Sequence, residues 1–178
     1  APLVTKEEAL ALLSPGRRDE LRMRAKEATR NFVEKRFDFC AIINAKCGRC
    51  GEDCKWCAQS AHWRTGIEAY GWKGAQECAR AARDAAANGV RRIGIVVSGR
   101  GASDAEIDLI CEALRAMRNA APEICLCASL GILGKTALAK LAEAGLQRIH
   151  CNIETAPSLF PDRKSTTSEL QSHHDLVC

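Results

Sequence analysis

Four short apolar runs alternate with helical segments between residues 37 and 153, and this alternation narrows the fold to a parallel sheet. The first run, 37–45, reads Phe-Asp-Phe-Cys-Ala-Ile-Ile-Asn-Ala, almost continuously apolar, as expected of a strand buried on both faces. The others fall at 91–97, 123–130 and 146–153. The spacing predicts a helix over 74–88, with Ala75, Cys78, Ala79, Ala82 and Ala86 on one face and Asn88-Gly89 as a left-handed stop. Ser103 and Glu106 form a capping box for the next helix, striped by Ile107, Ile110, Cys111, Leu114 and Met117. A third helix, 135–144, ends at Gly145. Strand–helix–strand units of this kind cross over right-handed. Periodicity leaves two architectures open, a doubly wound sheet and part of a (β/α) barrel, and both put chemistry after strand C-termini.

Two helices precede the first strand. Thr5-Lys6-Glu7-Glu8 is a capping box for a short helix that Ser14-Pro15-Gly16 ends. A second helix over about 17–35 carries Leu21, Ala25, Ala28 and Phe32 near helical spacing. The expected organisation is an N-terminal helical extension, 1–36, followed by the α/β unit, 37–178. Beyond Thr155, Pro157, Pro161 and a polar run give no defined element. Only 4% of the 178 residues are aromatic, so the core must rest on Ala, Leu, Ile and Val. The net charge of +4 is mild and interleaved, as in Arg17-Arg18-Asp19-Glu20, which argues against a nucleic-acid surface. No apolar run reaches the length of a membrane span and no secretory signal is visible, so the expected location is cytoplasmic.

Eleven cysteines are many for this length. Their odd number, and the packing of Cys50, Cys54 and Cys57 into eight residues, favour reduced thiols and a metal site over a secreted disulfide framework. These three lie in a long loop, about 46–72, after the first strand, and long loops in compact domains are usually functional. Three readings of the spacing stand side by side. An iron–sulfur cluster would take three thiolates and leave one iron open. A structural zinc site would use Cys47, Cys50, Cys54 and Cys57. A redox dithiol is the third, weaker because no compact βαβ unit follows at once.

The run Asn44-Ala45-Lys46-Cys47-Gly48-Arg49 through Cys50-Gly51-Glu52-Asp53-Cys54-Lys55-Trp56-Cys57 to Ala58-Gln59-Ser60 resembles the cluster loop of radical S-adenosylmethionine (radical SAM) enzymes, and biotin synthase in particular. Cys127-Ala128-Ser129-Leu130-Gly131 and Asn152-Ile153-Glu154-Thr155-Ala156-Pro157 match later segments of the same family. The resemblance implies a (β/α) barrel and a [4Fe–4S] cluster on Cys50, Cys54 and Cys57 with S-adenosylmethionine at the open iron. It sets Trp56 against the adenine, and Asn152 and Glu154 against the ribose and methionine parts. Cys127 stands where a ligand of a second, sacrificial cluster ([2Fe–2S] or a variant) stands. The implied reaction is sulfur insertion into dethiobiotin to give biotin, with a flavodoxin- or ferredoxin-type electron donor and a homodimeric protein. Cys47 replaces a small hydroxyl residue in this pattern and is expected not to be a ligand.

Two departures accompany the resemblance. The second strand, Ile93-Gly94-Ile95-Val96-Val97-Ser98, lacks the thiol that many members carry for the second cluster. Cys125 shares a strand face with Cys127 and is expected to be a buried structural cysteine. The chain also offers about four strands where the family's barrel has eight, so a truncated chain and a partial barrel are expected. The rival functions are another radical SAM enzyme of the biotin synthase-like group, in methylation or cofactor assembly, and a zinc-stabilised non-catalytic fragment.

Overall fold

The short helix at the N-terminus is opened by reciprocal capping. Glu8 N–H donates to Thr5 Oγ1 at 3.2 Å and Thr5 N–H donates to Glu8 Oε2 at 2.9 Å, launching α1 (Lys6–Leu12). The computed structural model describes residues 4–33, 38–152 and 156–159, and the chain divides into two compact units, Ala1–Phe37 and Asp38–Cys178. In the first unit α2 (Arg18–Phe32) follows, supported by the Arg17–Glu20 pair at 2.7 Å. Its expected apolar stripe is only partly covered: Leu21 and Ala28 are half-buried, Ala25 and Phe32 are exposed, and no described residue of α2 is fully buried. Helical spacing is a property of the element alone, whereas burial needs a facing surface.

The second unit runs β1 (Cys40–Lys46), α3 (Ala75–Ala87), β2 (Arg92–Val97), α4 (Asp104–Ala120), β3 (Cys125–Ser129), α5 (Lys135–Glu143), β4 (Arg148–Ile149) and a 3₁₀ turn, Pro157–Leu159. The strands pair in parallel in the order β1-β2-β3-β4. Chain order and sheet order coincide, so each crossover steps the same way and there is no reversal point of the kind a doubly wound sheet needs. This is the winding of a (β/α) barrel, and the structure resolves the choice the periodicity left open: a partial α/β barrel.

The register sorts side chains onto two faces. Ile43 and Ala45 of β1, Ile93 and Ile95 of β2, and Leu126 and Ala128 of β3 face the helices and join Cys78, Ala82, Ile107, Ile110, Leu114, Met117 and Leu141 in one core. On the other face Cys40, Ile42 and Asn44 stand in rows with Arg92, Gly94 and Val96, then Cys125, Cys127 and Ser129, with Arg148 completing the middle row. Among the described residues the helices cover the first face and not the second. The expectation that β1 is buried on both faces is therefore corrected: Ile42 is 70% exposed and Cys40 is exposed. An apolar strand sequence does not specify that a second layer is present.

The fourth strand is also shorter than its apolar run. Its ladder holds only Arg148 and Ile149, flanked by Gln147 N–H to Leu126 O at 3.0 Å and His150 N–H to Ala128 O at 2.8 Å. The chain is still turning at Gly145, where φ is 100°, which delays the strand start. Ile153, Glu154 and Thr155 lie outside the described residues. Arg118, at the end of α4, gathers this corner. It donates to Pro122 O, Ile124 O, Gly145 O and Gln147 Oε1 at 2.8 to 3.2 Å, and Gln147 Oε1 also accepts from Leu126 N–H.

At the opposite, C-terminal rim the β2–α4 and β3–α5 loops meet backbone to backbone. Ile132 N–H donates to Arg100 O at 2.8 Å and Ala102 N–H to Leu130 O at 3.1 Å, with Gly101 and Gly131 bridged between them. Gly131 has φ 76°, and a Cβ there would collide with Arg100 O. Only glycine allows both the left-handed turn and the close approach.

Three outcomes test this packing by denaturant unfolding. Ile95→Ala, on the covered face, is expected to cost about 2–5 kcal/mol, while Ile42→Thr, on the uncovered face, stays within about 0.5 kcal/mol. Equal costs would refute the face assignment. Gly131→Ala is expected to destabilise by about 1–3 kcal/mol through combined strain and collision.

Candidate metal centre

The thiol loop leaves the C-terminal end of β1 and is held there by backbone pairing. Lys46 closes the strand, and its Nζ donates to Glu106 Oε1 at 2.6 Å, tying the loop's root to the start of α4. That contact, followed by the Ser103 N–H at the helix cap, holds the Glu106 carboxyl below its usual range. Cys47 and Tyr70 then exchange N–H···O bonds of 3.1 and 3.0 Å across an antiparallel bridge. Tyr70 OH reaches back to Asn44 O at 2.9 Å. The two ends of the loop are thereby pinned together, and both are pinned to β1.

Between these ends the chain turns through two left-handed residues, Gly48 (φ 74°) and Arg49 (φ 53°). A Cβ on Gly48 would lie 2.7 Å from Ala69 Cβ, so the returning strand leaves no space for a side chain. Ser98, buried at the end of β2, donates from Oγ to Gly48 O at 2.7 Å, and its N–H donates to Lys46 O at 3.0 Å. Gln59 Oε1 accepts from Gly48 N–H at 2.5 Å.

The inner segment, residues 50–60, closes on itself. Cys50 N–H donates to Gln59 O at 2.9 Å and Ala61 N–H donates to Cys50 O at 2.8 Å. Ser60, also buried, donates from Oγ to Glu52 O at 2.6 Å. Trp63 Nε1 donates between Asp53 O and Cys54 O, at 3.3 and 3.2 Å, and His62 Nε2 lies 3.0 Å from Gly51 O. Cys57 N–H donates to Cys54 O at 3.1 Å, setting these two cysteines on consecutive corners of one turn.

This frame places the expected ligands as follows. Cys50 is buried, and Cys54 and Cys57 are half-buried, on one loop. Trp56 sits on the same turn and is 43% exposed. Cys127 belongs to the uncovered face of the sheet, below the rim, and is 4% exposed. Asn152 follows β4 and is exposed, while Glu154 lies outside the described residues. The loop gathers its cysteines in sequence and on one turn, but among the described residues no three His, Cys, Asp or Glu side chains are close enough together to hold a metal ion. Metal binding is coupled to deprotonation of its thiols and to ordering of the segment that carries them.

The donor chemistry fits a thiolate-bound cluster. Every described cysteine is a free thiol, so no disulfide competes for Cys50, Cys54 or Cys57. Asp53 Oδ1 is buried between the first two of them without a hydrogen-bond partner among the described residues. The other thiols are sorted by burial. Cys78, inside the helix–sheet core, is pushed up to about 11 by desolvation, and burial also raises Cys111, which marks both as structural. Cys127 is raised first by burial and then by the neighbouring Cys125.

The residues that build the frame, Gln59, Ser60, His62, Trp63, Tyr70 and Ser98, were not singled out as functional in the sequence. Each is an ordinary polar or aromatic residue whose role depends on partners up to 50 positions away. The small hydroxyl residue before the Gly-rich segment at 98–101 was the one available signal, since it ends an apolar strand.

Comparison with known proteins agrees with this geometry. The family model for the radical SAM superfamily matches residues 46–169, from the foot of the thiol loop to beyond β4. A biotin synthase of Parabacteroides distasonis is 42% identical over 163 residues, covering 92% of this chain and 50% of the relative. A biotin synthase of Porphyromonas gingivalis is 46% identical over 165 residues, covering 93% and 50%. The chain thus spans about half the length of the curated relatives it matches. Among solved structures, methylornithine synthase (PylB) superposes with a TM-score of 0.76 at 15% identity over 92% of this chain, which shows the shared fold. With its three-cysteine loop at the C-terminal edge of β1 of a partial barrel, the chain belongs to the radical SAM superfamily, whose cofactors are a [4Fe–4S] cluster and S-adenosylmethionine.

Proposed function

We propose that this chain is the cluster-binding half of a biotin synthase-like enzyme, converting dethiobiotin to biotin by sulfur insertion. The observation that carries the proposal is the framed loop 47–70. It sets three free cysteines on one short segment at the strand rim and matches biotin synthases through its flanks.

In this reading Cys50, Cys54 and Cys57 hold three irons as thiolates. When bound, the cluster and S-adenosylmethionine supply the one-electron chemistry that activates unreactive carbon–hydrogen bonds. The protein's own residues bind and orient. The paired ends of the loop, Cys47 with Tyr70 and Cys50 with Ser60, restrict where the thiolates can go. Trp56 offers an exposed indole for an adenine face. Asn152 and Glu154, after β4, offer an amide and a carboxylate to ribose hydroxyls and the methionine amino group. The uncovered sheet face below the rim supplies Cys127 for a second iron–sulfur cluster and apolar surface for the dethiobiotin chain. A flavodoxin- or ferredoxin-type protein delivers the electron, and the working enzyme is a homodimer.

Anaerobic reconstitution with iron and sulfide tests the ligand set. The chain is expected to turn brown. Cys50→Ala, Cys54→Ala and Cys57→Ala are each expected to lose the [4Fe–4S] iron, leaving no more than about a third of the total, the share of a two-iron second cluster. Cys47→Ala is expected to keep its iron. Colourless protein that retains zinc, and loses it on Cys47→Ala, would support a four-thiol zinc site and sink the proposal. Measuring biotin formed from dethiobiotin separates sulfur insertion from another radical reaction on the same scaffold.

A further inference from the structure

Cys125 and Cys127 stand two residues apart on β3, so both side chains leave the same face of the sheet, the face the helices do not cover. They occupy neighbouring positions along that face, with Cys125 opposite Arg92 and Cys127 opposite Gly94. Neither belongs to the helix–sheet core, although Cys127 is nearly inaccessible and Cys125 is half-buried. Packing accounts for Cys78 and Cys111, which lie in that core. It does not account for two adjacent thiols turned away from it, where valine or isoleucine would fill the same space.

The neighbouring strands complete the arrangement. Cys125 is in register with Arg92, and Cys127 lies between Gly94 and Arg148. Gly94 presents no side chain, so the row from Ile42 to Cys127 is open above the backbone. A Cβ at Gly94 would sit 3.7 Å from Cys127 Cβ and 3.9 Å from Ile42 Cγ2. Two thiols, a clear position beside them and the Arg148 guanidinium form a setting for a negatively charged, thiolate-ligated group, while the Arg92 guanidinium is already paired with the Asp38 carboxylate. β2 itself has no thiol over 93–98 to offer such a group.

We propose that Cys125 and Cys127 act as a pair, both ligating the second iron–sulfur cluster, with Cys125 supplying the thiolate that β2 lacks. Each cysteine binds as its thiolate and releases one proton to solvent. Arg148 is the positioning residue that offsets the charge, and Arg92 is held at the edge of the row by Asp38. In this proposal Cys125 takes a ligand role in place of the structural one expected from the sequence. The inference rests on the biotin synthase-like reading with a second cluster at Cys127.

The test removes the first site. The chain carrying Cys50→Ala, Cys54→Ala and Cys57→Ala is reconstituted anaerobically with iron and sulfide, and iron, sulfide and the Mössbauer spectrum are recorded. Loaded and unloaded protein are then alkylated with iodoacetamide and mapped by mass spectrometry. Bound iron is expected, with the half-buried Cys125 alkylated in the unloaded chain and protected in the loaded one. Adding Cys125→Ser is expected to lower bound iron at least threefold or to change the Mössbauer parameters. The protection readout needs no further substitution, so a misfolded Cys125→Ser variant leaves the proposal testable. If Cys127 is protected while Cys125 alkylates freely and Cys125→Ser leaves the spectrum unchanged, the pair is overturned and the second cluster stands. If the triple variant binds no iron and Cys125 alkylates in both samples, the second-cluster reading itself fails and takes the pair with it.

Discussion

The parallel ladder of β1 to β4, wound in chain order, is the constraint on which the rest of the structure depends. Because every crossover steps in the same direction, all three helices of the second unit lie on one side, where they bury a core of small aliphatic and alanine side chains. The same winding points every strand's C-terminal end to one rim. The thiol loop after β1, the Gly-rich segment after β2 and the Gly131 turn after β3 meet there because the ladder leaves no other place for them. Among the described residues no helix packs on the second sheet face, and its polar and thiol residues are those of a barrel interior.

At the rim, backbone hydrogen bonds do the positioning. The loop's two ends pair through Cys47 and Tyr70, Lys73 N–H caps Ala45 O at 2.8 Å, and Ser98 holds Gly48 from the neighbouring strand. Such bonds set a loop's path without using the side chains that must bind a ligand. The thiols remain available, and the cysteines divide by environment into core, loop and open face. That division separates inert from ligand-competent sulfur more clearly than any count of cysteines.

The helices were legible from sequence because their signals are local. Thr5 with Glu8, and Ser103 with Glu106, cap their helices as the capping-box pattern requires, and Gly89 and Gly145 adopt the left-handed stops expected of them. Parallel strands were legible as apolar runs, but their lengths and faces were not. β4 forms a ladder of only two residues where eight were expected, and Ile42 lies open where burial was expected. A run of apolar residues states what a strand tolerates; its partners decide what it buries. For the candidate site the ligand types and spacing were readable, whereas the frame around them was not, since Ser60, Trp63 and Ser98 act through partners that sequence spacing does not announce.

The sequence by itself determined the kinds of element, their order and the three-thiol segment with its family likeness, because these rest on periodicity, capping and residue identity along the chain. The tertiary structure decided that the sheet is wound one way rather than doubly, and which face the helices cover. It also decided that the Cys125–Cys127 pair faces away from the helix-covered core, with Gly94 opposite Cys127. Those facts depend on register between strands distant in sequence. A shift of one residue would send the same thiols into the core.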